Sequence, residues 1–95
     1  MKIKTSELTG PALDWAADLA LGGYNPGTLY SSYWAVGGPI IERERLLLKP
    51  VMQHWVAYTY NQDDWQMGPT PLIAAMRCVV ASKLGDEVDV PEELL

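Results

Sequence analysis

Apolar residues recur at helical spacing in two stretches of the chain. "ALDWAADLAL" follows Thr9-Gly10-Pro11 and stops at Gly22-Gly23. Thr9 can accept a hydrogen bond from an orphan N–H, and Pro11 suits a first helical turn. These signals predict a first helix over about residues 9 to 21. "LIAAMRCVVASKL" lies between Thr70-Pro71 and Gly85, which predicts a second helix over about 70 to 84. It is apolar nearly all round, so it should be central and covered by other elements. Asp14 and Asp18 are four apart on the first helix, where like charges repel slightly, and that face is expected in water.

Elsewhere the pattern alternates. In "PIIERERLLL", strand geometry sends Ile41, Arg43, Arg45 and Leu47 to one face. Ile40, Glu42, Glu44, Leu46 and Leu48 go to the other. A strand over 38 to 48 would thus separate the Arg pair from the Glu pair. It reads either as an edge strand guarded by charge or as two guanidiniums ready for a phosphate or carboxylate. Pro50 interrupts the pattern, and "MQHWVAYTY", 52 to 60, reads as a second strand. "NQDDW", 61 to 65, is a turn, and "GGYNPGTLYSSY", 22 to 33, is a loop that carries three tyrosines. "KIK" at 2 to 4 and "EVDV" at 87 to 90 are short extended runs of opposite charge, suited to pair across strands. The expected fold is α+β: one domain over 1–95, with a small, mostly antiparallel sheet packed with two main helices.

Composition narrows the function. Apolar residues make up 48% of the chain, enough for one modest core. No apolar run reaches the length of a membrane span, and the N-terminus lacks the apolar stretch of a signal peptide, so a cytoplasmic location and no membrane partner are expected. The net charge is −5, and it sits after Gly85 in Asp86, Glu87, Asp89, Glu92 and Glu93. The remainder is balanced. No basic face suits duplex nucleic acid, but two or three cations can hold a compact anion. The four Trp and five Tyr stand beside no Phe, so every ring has a polar handle. Such rings suit pockets and interfaces as well as cores.

Catalysis is not expected. One His and one Cys offer no metal-ligand spacing, and neither a metal nor a cofactor is anticipated. His54 with Asp63 or Asp64, and the Glu42–Glu44 pair, are the only acid–base candidates. Arg77 is a single cation within an apolar helix; it either snorkels or meets an anionic partner. Cys78 is packing. No phosphate-loop or dinucleotide fingerprint is present. The binding inventory is Tyr33, Trp34, Trp55 and Trp65 as stacking surfaces, with Arg43, Arg45 and Arg77 as anion partners. Gly37 and Gly38 would let backbone N–H groups approach a ligand. Base stacking on aromatics contributes roughly 1–3 kcal/mol per base, and charge-assisted bonds roughly 1.5–3 kcal/mol each. Trp, Tyr and Arg are also the residues of interface hot spots. A concave site shared by rings and Arg would favour a ligand, and a flat aromatic patch would favour a protein. A homodimer or higher homo-oligomer is expected in either case.

The blocks "KTSELTGPALDWA", "GGPIIERE" and "GPTPLIAAMRCVVASKLGDEVDVPEEL" resemble the NinX-like family of small proteins from tailed phages and prophages. Members of that family often have Asp where this chain has Tyr33, and Gly where it has Arg45. The resemblance implies a phage accessory protein acting in the cytoplasm of the infected bacterium, and it supplies no catalytic residues. Phage accessory proteins of this size often disable host defences. By that analogy, the expected function is non-catalytic sequestration of a small, anionic, nucleotide-like immune signal. The alternative is a module that inhibits or redirects a host protein.

Overall fold

The computed structural model describes residues 1–95. In chain order the elements are β1 (Lys2–Lys4), a 3-10 turn (Thr5–Glu7), α1 (Gly10–Ala20), α2 (Trp34–Glu44), β2 (Leu47–Val51), β3 (His54–Tyr58), β4 (Trp65–Gly68), α3 (Pro71–Leu84) and β5 (Glu87–Asp89). A last 3-10 turn covers Glu92–Leu94. The strands form two separate antiparallel sheets, a β1–β5 ribbon and a β2-β3-β4 sheet. The fold is α+β, with one more helix and one more sheet than the residue pattern predicts.

α3 is the centre. The Thr70 hydroxyl accepts the Ile73 N–H at 3.1 Å, which caps its start, and Gly85 ends it with φ 94. Leu72, Ala74, Ala75, Met76, Cys78, Val79, Val80 and Ala81 are all buried on it. α1, α2, β3 and β4 pack around it. Its small side chains allow close approach, and Ala12, Ala16 and Ala17 of α1 join the same core. Cys78 is buried packing, as its setting in the sequence suggested.

The β1–β5 pairing follows the charge match: Lys2 lies opposite Asp89 and Lys4 opposite Glu87. Thr5 ties this ribbon to the end of α3, since its hydroxyl donates to the Gly85 carbonyl at 2.7 Å.

The segment expected as a strand over 38 to 48 is instead helix α2 up to Glu44, and only Leu47–Val51 is extended. The reason is its second periodicity. Val36, Gly37, Ile40 and Ile41 fall on one helical face and pack toward the core. The alternating charges then fan around the exposed side. Pro39 lies inside this helix and removes one N–H, which would have met the carbonyl of exposed Ala35. The helix stops at Arg45, whose backbone is left-handed (φ 56, ψ 45), with the Leu46 N–H returning to the Ile41 carbonyl at 3.1 Å.

Three other expectations change. Pro50 does not interrupt β2 but sits within it, opposite Trp55, as an edge strand permits. Trp65 leaves the turn and begins β4. Thr9 precedes α1 but its hydroxyl makes no capping bond.

The loop over 22 to 33 folds back on α1. Asp14 and Asp18 are therefore buried, at 8% and 7% exposure, rather than in water. Asp14 Oδ1 accepts the Ser31 N–H at 2.8 Å. Asp18 Oδ1 accepts the Asn25 N–H at 3.0 Å and the Tyr30 hydroxyl at 2.8 Å. Two loop backbone N–H groups and the Tyr30 hydroxyl thus take the place of water that like charges on a lone helix would have kept.

Candidate binding cleft between the two sheets

The predicted site residues do not form one cluster. The helix separates Arg43 from Arg45, because neighbours two apart on a helix point to different sides. Arg43 lies beside Tyr24, Tyr30 and Ile40 in a depression at the end of α1, and its Nε is 3.4 Å from Glu44. Arg45 covers the ring of Tyr60, with its guanidinium carbon 4.5 Å from the ring centre. Tyr33 and Trp34 open α2 and stay exposed. Gly37 serves packing rather than ligand approach: a Cβ there would lie 2.6 Å from Leu72 Cδ2 and 2.7 Å from the Tyr30 carbonyl oxygen. Gly38 faces only Trp34, at 3.9 Å. Trp55 packs half-buried against the core, opposite Pro50 and Gly68.

Trp65 and Arg77 do come together. They line a cleft of about 750 Å³ with His54, Gln66, Ser6 and Asp86. One wall is β4, the edge strand of the three-stranded sheet. The other is the turn after β1 and the approach to β5, and α3 supplies Arg77. A second depression, shared through Ser6, Gln66 and Asp86, extends the cleft to Lys4 and Glu87. The volume suits a nucleotide-sized molecule.

Arg77 is anchored rather than snorkelling freely. Its Nε donates to the Leu8 carbonyl at 2.8 Å and its Nη1 to the Met67 carbonyl at 2.9 Å. Burial pushes its pKa below the ordinary arginine value. Two carbonyls hold the plane, and the remaining N–H groups are the ones with capacity for a ligand. Trp65 keeps 57% of its surface exposed, which leaves ring surface for a ligand to contact. His54 adds an imidazole to the lining. Asp86, Gln66 and Ser6 supply acceptors and donors for hydroxyl or amino groups. No cluster of three or more His, Cys, Asp or Glu is placed to hold a metal. His54 and Trp65 reach the cleft through the hairpin β3–β4, and a short turn then brings Arg77 beside them. Of these residues, Ser6, Gln66 and Asp86 give no signal in the sequence, and His54 gives one only as an acid–base candidate.

The outer face of the three-stranded sheet, continuous with the cleft through Trp65 and Met67, mixes apolar and polar side chains. Register aligns Leu47, Tyr58 and Trp65 in one row and Lys49, Val56 and Met67 in the next. Leu47, Trp65 and Met67 are exposed there. No helix of the protein is long and apolar enough to cross a membrane.

Among curated proteins, none matches the chain. A family model described as "Bacteriophage P22, NinX" matches residues 20–83, from the end of α1 into the last turn of α3. That range takes in His54, Trp65, Gln66 and Arg77 of the cleft, and leaves out Ser6 and Asp86. With more than half of its length matched, the chain belongs to the bacteriophage P22 NinX family.

Proposed function

We propose that this phage-family protein is a non-catalytic accessory protein that captures a small, anionic, nucleotide-like signal of the host, with the inter-sheet cleft as its seat. The observation that carries the reading is the exposed Trp65 ring beside an Arg77 guanidinium fixed by two carbonyls. A base stacks on Trp65, while Arg77 and His54 face the anionic part. Asp86 and Ser6 take hydroxyl or amino groups. Sequestration fits the site better than turnover. Ser6 and His54 line the cleft with no hydrogen bond between them, and buried Cys78 has its thiol pushed up to about 12 by burial and by nearby Asp64.

The test is a thermal-shift screen against cyclic di- and trinucleotides and cyclic ADP-ribose isomers, with each ligand recovered after denaturation. A shift of several degrees, lost in Trp65→Ala and kept in Arg43→Ala, supports capture in the cleft. Recovery of an altered ligand would make the protein an enzyme. No shift for any compound overturns the nucleotide reading.

One observation favours a second reading, inhibition of a host protein. The outer sheet face exposes Leu47, Trp65 and Met67 together, and Arg45 stacks on exposed Tyr60. Exposed aromatic and Arg side chains are components of protein interfaces. A pull-down from host lysate abolished by Leu47→Asp would support it.

A further inference from the structure

The loop over 22 to 33 and α1 enclose a second pocket, of about 440 Å³, that shares no residue with the cleft. Two of its lining residues are Asp14 and Asp18, each more than nine-tenths buried. Each carboxylate spends only Oδ1 on the protein, on Ser31 N–H in one case and on Asn25 N–H and Tyr30 hydroxyl in the other. Neither Oδ2 has a hydrogen-bond partner, and neither carboxylate forms an ion pair with any Lys, Arg or His of the chain. Neither Oδ2 is sealed off from solvent, so two anionic oxygens on the wall of the pocket remain accessible, with no cation of the chain to balance them. The rest of the wall is apolar or neutral: half-buried Trp15, exposed Pro26 and Leu29, and buried Ser31, with exposed Ser32 at the rim.

From this geometry we infer that the α1 pocket binds an organic cation, an ammonium or guanidinium group on an apolar stem. The Oδ2 atoms of Asp14 and Asp18 accept its N–H donors. The Trp15 indole attracts the same charge through its π face, and Pro26 and Leu29 cover the stem. An anion is excluded here by the two carboxylates, so this ligand differs in kind from the one proposed for the cleft. The cation comes either from a free amine or from an Arg or Lys side chain of a partner polypeptide.

Both sources are tested by titrating the ¹⁵N-labelled protein in physiological salt. The free-amine probes are agmatine and spermidine; the side-chain probes are capped Gly-Arg-Gly and Gly-Lys-Gly peptides; ribose serves as a neutral polyol. Saturable movement of the Ser31 amide and Trp15 indole signals with a cationic probe, and none with ribose, is expected. Asp14→Asn and Asp18→Asn keep an oxygen for the loop N–H groups and should weaken binding at least tenfold each. Should either variant lose its fold, Ser32→Trp, which fills the pocket from an exposed rim position, must abolish the response instead. Preference for the free amines or for the peptides identifies the source. No saturable response to any cation, an equal response to ribose, or binding undiminished in the Asn double variant or in Ser32→Trp would overturn the inference.

Discussion

The Tyr30 hydroxyl donates to Asp18 Oδ1 at 2.8 Å, linking the loop over 22 to 33 to the last turn of α1. Tyr30 is 5% exposed, and burial, then its bond to charged Asp18, raises its pKa above the ordinary 10.0. Hydrogen bonds to charged groups contribute about 1.5–3 kcal/mol. Tyr30→Phe should therefore lower unfolding stability by about 1–2 kcal/mol in urea, with Asp18 still accepting the Asn25 N–H. The raised pKa also sets a sign. The folded state holds the Tyr30 proton more tightly than the unfolded chain, so this contribution is complete below pH 10 and is lost as pH rises above it. Urea midpoints compared from pH 8 to 11 should fall more steeply in the parent than in Tyr30→Phe.

Arg45 occupies a left-handed helix end where glycine carries no steric cost. Glycine at that place would follow the backbone preference. This chain offsets the strain with the stack on Tyr60, of about 0.5–1 kcal/mol at an exposed site. Arg45→Gly should be neutral or stabilising by up to about 1 kcal/mol, because relief of strain exceeds the lost stack. Arg45→Ala keeps the strain and loses the stack, and it should be the less stable of the two. Thermal melts of both variants measure the order; Ala above Gly would contradict the account.

Gly37→Ala should be among the most damaging single-methyl changes, since the new Cβ meets Leu72 and the Tyr30 carbonyl below 3 Å. Overpacking of this kind costs about 1–3 kcal/mol. A drop in melting temperature of about 5–15 °C is expected at this chain length.

The two helix starts differ. Thr70→Ala removes a capping bond and should cost about 1 kcal/mol. Thr9→Ala removes none, and its effect should stay within about 0.5 kcal/mol. Equal losses in chemical denaturation would count against this distinction.

Cys78 is fully buried with its thiol pushed up to about 12, so it should resist thiol reagents at pH 8 in the folded protein. Labelling should proceed only as the chain unfolds, and mass spectrometry against denaturant concentration should trace the global transition.

Local chemistry determined much of this protein. Thr70-Pro71 and Gly85 bound α3, its uniform apolarity places it centrally, and the lysines of β1 find the acids before Val90 by simple charge matching. The resemblance to a phage family also holds, over residues 20–83. Tertiary structure decided the rest. "PIIERER" satisfies both a strand period and a helix period, and packing of the Val36, Gly37, Ile40 and Ile41 face on the core selects the helix. That choice splits Arg43 from Arg45 and dissolves the anion site their alternation suggested. Asp14 and Asp18 looked like a solvated pair because their partners, Ser31, Asn25 and Tyr30, lie up to seventeen residues away in sequence. Trp65 and Arg77 became neighbours because β4 lies along α3, with Ser6 and Asp86 arriving from the two ends of the chain. Periodicity and capping act within a few residues and are written locally; a binding cleft assembled from four distant segments exists only once the core has closed.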